Sequence, residues 1–216
     1  MLQGLAVREL SLRRDQAVPE QEENIFLLLE GWACGQKMLP EGERQICSIH
    51  LPGDIPNLLD LAIPRRDIEY RAIGPCRVLL TPVSAMRGIC RLSAALSAGL
   101  WRNAAVHASI AEEWITNIGR RRAIHRIAHL FCELLARMDA QGAGARSSYE
   151  FPLTQNDIGD ATGLSTVHVN RVLQELRGKN ILELGSGSLV VPDRARLAVL
   201  AGFNPGYLHM APADLL

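Results

Sequence analysis

Short apolar runs broken by turn residues occupy the first third of the chain. Ile25 to Leu29 gives way to Gly31, Gln45 to Leu51 to Pro52-Gly53-Asp54, and Arg71 to Ile73 to Gly74-Pro75, before Arg77 to Leu80. Runs this short, punctuated by Gly and Pro, predict a compact antiparallel β-structure from Ile25 to about Pro82. From Ser84 to about Ala140 helix formers follow almost unbroken, with Gly88, Gly99 and Gly119 the only glycines and no proline. That stretch is predicted helical. Beyond a linker at Gly142-Ala143-Gly144, with Ser147 and Ser148, come a strand candidate (Tyr149 to Pro152), two helical segments, a hairpin and a short closing helix.

Within the helical stretch, Leu100, Ala104, His107, Ala111, Trp114 and Ile118 recur at spacings of 4, 3, 4, 3 and 4, close to the 3.5-residue period of a coiled-coil seam. Val106, Ile110 and Ile115 widen the stripe, so the helix has more than one neighbour to bury against. It reads either as an amphipathic helix packed only on its own domain or, more sharply, as a dimerisation helix from about Leu96 to Ile118. In the second case one face meets the β-part and the other a symmetry mate. Small Ala104 and Ala111 would then let two helices approach closely.

The most specific pattern lies further on. Thr154 stands where an N-cap is wanted, with Asp157 three positions on to complete a capping box. Ile158 and Ala161 face inward, Gly159 is small where two helices would cross, and Gly163 permits a left-handed turn. Ser165 then caps a second helix whose buried side is Val169, Val172, Leu173 and Leu176. Thr166, Val167, Asn170 and Arg171 face outward, with His168 and Gln174 further round. This is the spacing of a helix-turn-helix, whose second helix enters a major groove. Ile181 to Leu184, Gly185-Ser186-Gly187-Ser188 and Leu189 to Val191 read as a wing, and Pro192-Asp193 starts a last helix to about Ala201. Such a helix pair also occurs as plain packing; the wing and the exposed Asn170-Arg171 pair favour DNA binding.

Composition narrows the class further. The 216 residues are 48% hydrophobic and 21% charged, enough core for one large or two small domains and too apolar for disorder. Lys plus Arg total 23 and Asp plus Glu total 23, so no charged tail announces a polyelectrolyte partner, and DNA binding would rest on a local patch. Leu92 to Trp101, a stretch free of charge, falls far below the roughly 18 apolar residues of a membrane span. Residues 1 to 30 lack the pattern of a secretory signal, which makes a cytoplasmic location the expectation. Cys34, Cys47, Cys76, Cys90 and Cys132 are scattered, without a CxxC pair, and read as small buried hydrophobes rather than a disulfide framework or zinc ribbon.

Several segments taken together resemble a known family. They are Leu153-Thr154-Gln155 leading into Gly163-Leu164-Ser165, and His168-Val169-Asn170-Arg171-Val172-Leu173. With them go Gly31-Trp32-Ala33-Cys34 and Leu51-Pro52-Gly53-Asp54, Glu113-Trp114-Ile115 and Gly119-Arg120-Arg121, and Ala128-His129-Leu130 and Cys132-Glu133-Leu134. Over nearly its whole length the chain resembles the Crp/Fnr bacterial transcription regulators, and looks like the branch common in alphaproteobacteria. The resemblance implies an α+β fold: a cyclic-nucleotide-binding-like β-roll over residues 1–95, a dimerisation helix over 96–120, and a winged helix-turn-helix over 121–216. It implies a homodimer on a palindromic operator in double-stranded DNA, under an unidentified small-molecule or other signal, with RNA polymerase a further partner and no enzymatic activity. The alternative is a small-molecule-binding β-roll whose helix-turn-helix serves protein interaction.

By the same resemblance Arg171 aligns with the arginine that reads a guanine through two donors on O6 and N7, and Asn170 and Thr166 stand beside it toward the bases. Many members carry Glu where Val167 stands; Val167 offers only apolar contact, for example to a thymine methyl. Thr154, Gln155, Ser165 and His168 occupy positions that in the family meet phosphates. Arg177 and Lys179 add nonspecific attraction, or serve as charge caps at a helix C-terminus.

Departures limit what the β-part can bind. Members that bind cyclic AMP carry a Gly-Glu and then an Arg-Ser pair after the Gly-Asp. Here Gly53-Asp54 is followed by Ile55-Pro56-Asn57-Leu58-Leu59-Asp60, and Asp67 after Arg65-Arg66 replaces the small hydroxyl and would repel a phosphate. The first 33 residues hold no cysteine for an iron–sulfur cluster. His125, His129 and Cys132 share a helical side, but no fourth ligand is identifiable, so they are read as core and surface residues. The expectation is therefore no resident cofactor and no metal. Asp60, Asp67 and Glu69 have no nucleophile and His beside them to suggest catalysis.

Overall fold

The computed structural model describes residues 7–19, 23–63, 67–143 and 148–210. Arg65 and Arg66, weighed above as a phosphate-facing pair, and linker residues 144–147 lie outside these. The chain folds as two compact units, residues 1–108 and 109–216.

The first unit is built from β1 (Arg8–Leu12), β2 (Asn24–Glu30), β3 (Ala33–Met38), β4 (Arg44–His50), β5 (Glu69–Ala72) and β6 (Cys76–Pro82), followed by α1 (Val83–Leu92) and the first half of α2 (Ala94–Arg120). Among the described residues the strands form two antiparallel sheets, ordered β1-β6-β2 and β4-β3-β5. Bulges between Leu28 and Glu30 and between Gly35 and Gln36 break the registers, as strands do where a sheet must curl. The inward faces meet in a core of Phe26, Leu28, Ala33, Tyr70, Val78 and Leu80, with the Phe26 and Tyr70 rings edge to face at 5.3 Å. Trp32 is buried at the head of β3.

The segment after Gly53-Asp54 is held by its own polar groups. Asp54 Oδ2 accepts from the Leu51 amide at 2.9 Å, and the Gly53 amide donates to the Leu28 carbonyl at 2.7 Å. Asn57, 1% exposed, accepts from the Phe26 amide and donates to the Asn24 carbonyl, while the Tyr70 hydroxyl donates to the Pro56 carbonyl at 2.9 Å. A loop without regular structure is buried only where its backbone groups find such partners.

The second unit contains the rest of α2, then α3 (Ala123–Met138), β7 (Ser148–Glu150), α4 (Gln155–Thr162), α5 (Thr166–Gly178), β8 (Glu183–Gly185), β9 (Ser188–Val190) and α6 (Arg194–Ala201). The central helix is α3, buried continuously from Ile127 to Leu135, with the Phe131 ring tilted against that of Phe151 at 5.2 Å between centres. Glu133 lies wholly inside this core. It accepts from Trp114 Nε1 at 3.1 Å and from the Tyr207 hydroxyl at 3.0 Å, with Arg137 Nη1 at 3.5 Å. Burial holds its carboxyl above the usual range. His129 and Cys132 are core residues: the His129 ring stacks on Tyr207 at 5.9 Å, burial lowers its pKa to about 4, and burial pushes the Cys132 thiol up to about 12.

Two arginines tie the ends of these helices. Arg126 donates to the Thr162 carbonyl at 2.7 Å and to the Arg121 carbonyl at 3.1 Å, satisfying backbone acceptors left over where α4 and α2 stop. Arg194, at the start of α6, pairs with Asp139 and places its guanidinium 4.9 Å from the centre of the Tyr149 ring. The strand order β7-β9-β8 closes the wing.

Candidate nucleic-acid interface

The helix-turn-helix is set by local hydrogen bonds. At the start of α4, Thr154 Oγ1 accepts from the Asp157 amide at 3.1 Å and Asp157 Oδ2 accepts from the Thr154 amide at 2.9 Å, the reciprocal capping box. The helix stops at Gly163, whose φ of 66° is left-handed, and the Leu164 amide returns to the Gly159 carbonyl at 3.0 Å. Ser165 Oγ then accepts from the His168 amide at 3.4 Å to open α5.

This turn leaves no room at Gly159. A β-carbon there would sit 2.5 Å from the Leu164 carbonyl oxygen, which is backbone and cannot swing away. Gly159→Ala is therefore expected to lower stability by about 1 to 3 kcal/mol through overpacking. Urea unfolding followed by circular dichroism measures it; a midpoint equal to the parent's contradicts the geometry.

One side of α5 is core, with Val169, Val172, Leu173 and Leu176 buried. The opposite side exposes Thr166, Val167, Asn170 and Arg171, and Val167 is 82% exposed. These side chains are steadied from α4 and from each other. Thr166 Oγ1 donates to Asn156 Oδ1 at 2.7 Å, Asn170 Nδ2 donates to Gln155 Oε1 at 3.2 Å, and Arg171 Nη2 donates to His168 Nε2 at 2.9 Å. Since a guanidinium can only donate, His168 presents an unprotonated Nε2 in this pair. Asn156, absent from the sequence-based site, belongs with it as the residue that orients Thr166. The signal was available in sequence, because Asn156 sits in the exposed first turn of α4.

Thr154, Gln155 and Ser165 stand at the N-termini of α4 and α5, where the helix dipole favours an anion. Arg177 and Lys179 stand at the far end of α5 with acidic neighbours: Arg177 Nε lies 3.4 Å from Glu183, Arg177 Nη2 donates to the Leu184 carbonyl, and Lys179 lies 2.5 Å from Glu175. The wing turns through Ser186 and Gly187, both at positive φ, as a two-residue hairpin turn requires.

Along α2 the residues of the predicted seam divide. Trp114 is buried against Glu133, while Leu100 and His107 are half-buried within the first unit. Ala104 is half-buried and Ala111 and Ile118 are exposed. The exposed apolar side chains beside them are Trp101, 71% exposed, and Ile115, 72% exposed.

Comparison with known proteins places these features in context. The Crp-like helix-turn-helix domain matches residues 125–200. The transcriptional activator protein FnrA of Stutzerimonas stutzeri is 26% identical over 161 residues, covering 74% of this chain and 66% of that protein. The nitrogen fixation regulation protein FixK of Azorhizobium caulinodans is 26% identical over 81% of this chain and 70% of its own length. The solved structure of FixK2 from Bradyrhizobium japonicum superposes with a TM-score of 0.79 at 28% identity, covering 93% of this chain and all of that one.

Proposed function

We propose that this chain, a member of the Crp/Fnr family of transcription regulators, controls transcription as a homodimer bound to a palindromic operator. The observation that carries this reading is the exposed face of α5, where Arg171 is held by His168 and Asn170 by Gln155. In this reading Arg171 reads a guanine with two donors, Asn170 and Thr166 read neighbouring edges, and Val167 offers a methyl-sized apolar contact. Thr154, Gln155, Ser165 and His168 lie along the phosphates, and Arg177 and Lys179, already shared with carboxylates, contribute weak nonspecific attraction. Residues 1–95 serve as the β-roll that receives the signal, 96–120 as the dimer helix and 121–216 as the DNA-binding domain. RNA polymerase is the proposed further partner and the cytoplasm the proposed compartment; no helix among the described residues is long and apolar enough to cross a membrane.

For the dimer seam we propose Trp101, Ala104, Ala108, Ala111, Ile115 and Ile118, which keep the 3,4 alternation and are exposed or half-buried in the single chain. This ladder shares Ala104, Ala111 and Ile118 with the sequence reading and moves one residue on from Leu100, His107 and Trp114, whose side chains are engaged within their own units. The alanines permit close helix approach while Trp101 and Ile115 supply apolar area.

Selection of bound fragments from a random DNA pool tests the proposal. The enriched sequence is expected to contain two inverted half-sites, centres about one helical turn apart, each with a guanine. Ile115→Glu is expected to sediment as a monomer and to lose that enrichment, because like charges facing across the axis cost several kcal/mol. Enrichment of unpaired sites, or an Ile115→Glu protein that stays dimeric, rejects the operator geometry or the seam respectively.

A further inference from the structure

Three side chains that can bind a cation converge inside the first unit, on a corner that the DNA-binding proposal does not use. His50 ends β4 and is 3% exposed, Asp54 lies in the turn after it, and His107 reaches them from α2. A ring nitrogen of each His and a carboxylate oxygen of Asp54 all lie within 4.8 Å of one another. We propose that His50, Asp54 and His107 form a site for a divalent first-row transition metal ion, with Zn²⁺ as the reference ion.

The donor set suits such an ion. Two imidazoles and one carboxylate are the borderline ligands that first-row metals take, and three protein ligands leave a fourth position for water or a small ligand. Hard cations such as Mg²⁺ and Ca²⁺ prefer oxygen ligands throughout.

Two of the separations are close to those a bound ion would impose. Bond lengths near 2.0 to 2.2 Å at a tetrahedral centre put two ligand atoms about 3.4 Å apart and two ligated imidazole centres about 5.2 Å apart. His50 Nδ1 lies 3.8 Å from Asp54 Oδ2, and the His50 and His107 ring centres lie 5.4 Å apart. A closure of a few tenths of an ångström therefore brings these pairs to bonding geometry. At 3.8 Å the His50–Asp54 pair is too long for a hydrogen bond.

A neighbouring contact is compatible with the tautomer that a metal ligand needs. His50 Nε2 lies 2.8 Å from Ser48 Oγ, so Nε2–H can donate to the hydroxyl and leave the Nδ1 lone pair directed to Asp54. Metal-bound histidines are characteristically fixed in this way by a partner on the other ring nitrogen. Asp54 is oriented in turn by the Leu51 amide at 2.9 Å, and Tyr70, its ring 6.0 Å from that of His50, walls the corner. Rigid backing on two of the three ligands keeps the ordering cost of binding low.

The test uses the full-length protein, freed of any affinity tag and of metal by chelator dialysis, titrated with ZnCl₂ by calorimetry and with CoCl₂ by visible absorption. One ion per chain is expected, together with the intense absorption of a four-coordinate Co²⁺ site. His107→Gln is expected to weaken binding at least a hundredfold, and Ser48→Ala, which removes only the outer contact to His50 Nε2, about tenfold. The cysteines are common to parent and variants, so any difference reports on this corner. Asp54→Asn repeats the test from the turn should His107→Gln perturb folding by circular dichroism. Absence of saturable one-to-one binding in the parent, or equal affinity in parent and folded variants, overturns the site. These readouts are binding alone, so they stand or fall separately from the operator proposal.

Discussion

Arg171→Ala is expected to lower affinity for the selected operator by at least tenfold while leaving binding to random DNA nearly unchanged. A good bidentate contact to guanine is worth about 1 to 3 kcal/mol of discrimination, and a two-fold dimer loses it twice. Nonspecific binding is set by phosphates and salt, to which one exposed arginine per chain adds little. The side chain is not a loose probe, since His168 Nε2 holds one end of its guanidinium at 2.9 Å. His168→Ala should consequently erode base preference as well as overall affinity, rather than weakening every sequence equally. Fluorescence anisotropy with operator and scrambled duplexes at one salt concentration measures both variants. Undiminished operator binding by Arg171→Ala, with the parent's base preferences, means that α5 does not read the site through this residue.

Glu133→Ala is expected to cost about 3 kcal/mol or more of stability. The carboxyl is fully buried and accepts from the Trp114 indole and the Tyr207 hydroxyl. Each buried donor left without an acceptor costs about 1 to 3 kcal/mol, and a cavity adds to that. Glu133→Gln keeps a carbonyl acceptor and should lose much less. The pH dependence follows from the direction of the shift: burial raises the folded-state pKa above the unfolded value of 4.5. Above that value the folded chain keeps a proton that the unfolded chain has released, so this contribution is full at lower pH and is lost as pH rises toward the folded pKa. In Glu133→Gln that decline should vanish. Urea unfolding across the pH range measures it, and an unchanged slope in the Gln variant would show that the buried carboxyl is not its source.

What the sequence made legible follows the range of the interactions involved. The helix-turn-helix could be read because its rules are local: Thr154 and Asp157 meet within one turn, Gly163 needs only its own φ, and Ser165 caps three residues ahead. β3 escaped notice because Ala33-Cys34-Gly35-Gln36 is buried throughout between two neighbours and shows no alternation of large apolar and polar residues. β1 escaped because Arg8 and Glu9 open it, the charged habit of an edge strand. A period of 3.5 along α2 gives the existence of a stripe but leaves its phase open by one residue. In the proposed seam the phase follows from long-range partners: Glu133 engages Trp114, and the β4 corner engages His107. The same kind of tertiary meeting unites His50 and Asp54 with His107, which no spacing rule connects.

The division of the tryptophans gives the chain a built-in optical reporter. Trp32 and Trp114 are 7% and 6% exposed, whereas Trp101 is 71% exposed on the face proposed as the seam. A neutral quencher such as acrylamide therefore meets essentially one indole in the separated chain, and pairing of the α2 helices would screen it. Dilution through the dimer–monomer equilibrium should move the emission toward longer wavelength and raise the quenchable fraction together, so self-association can be followed at nanomolar concentrations without attaching a dye.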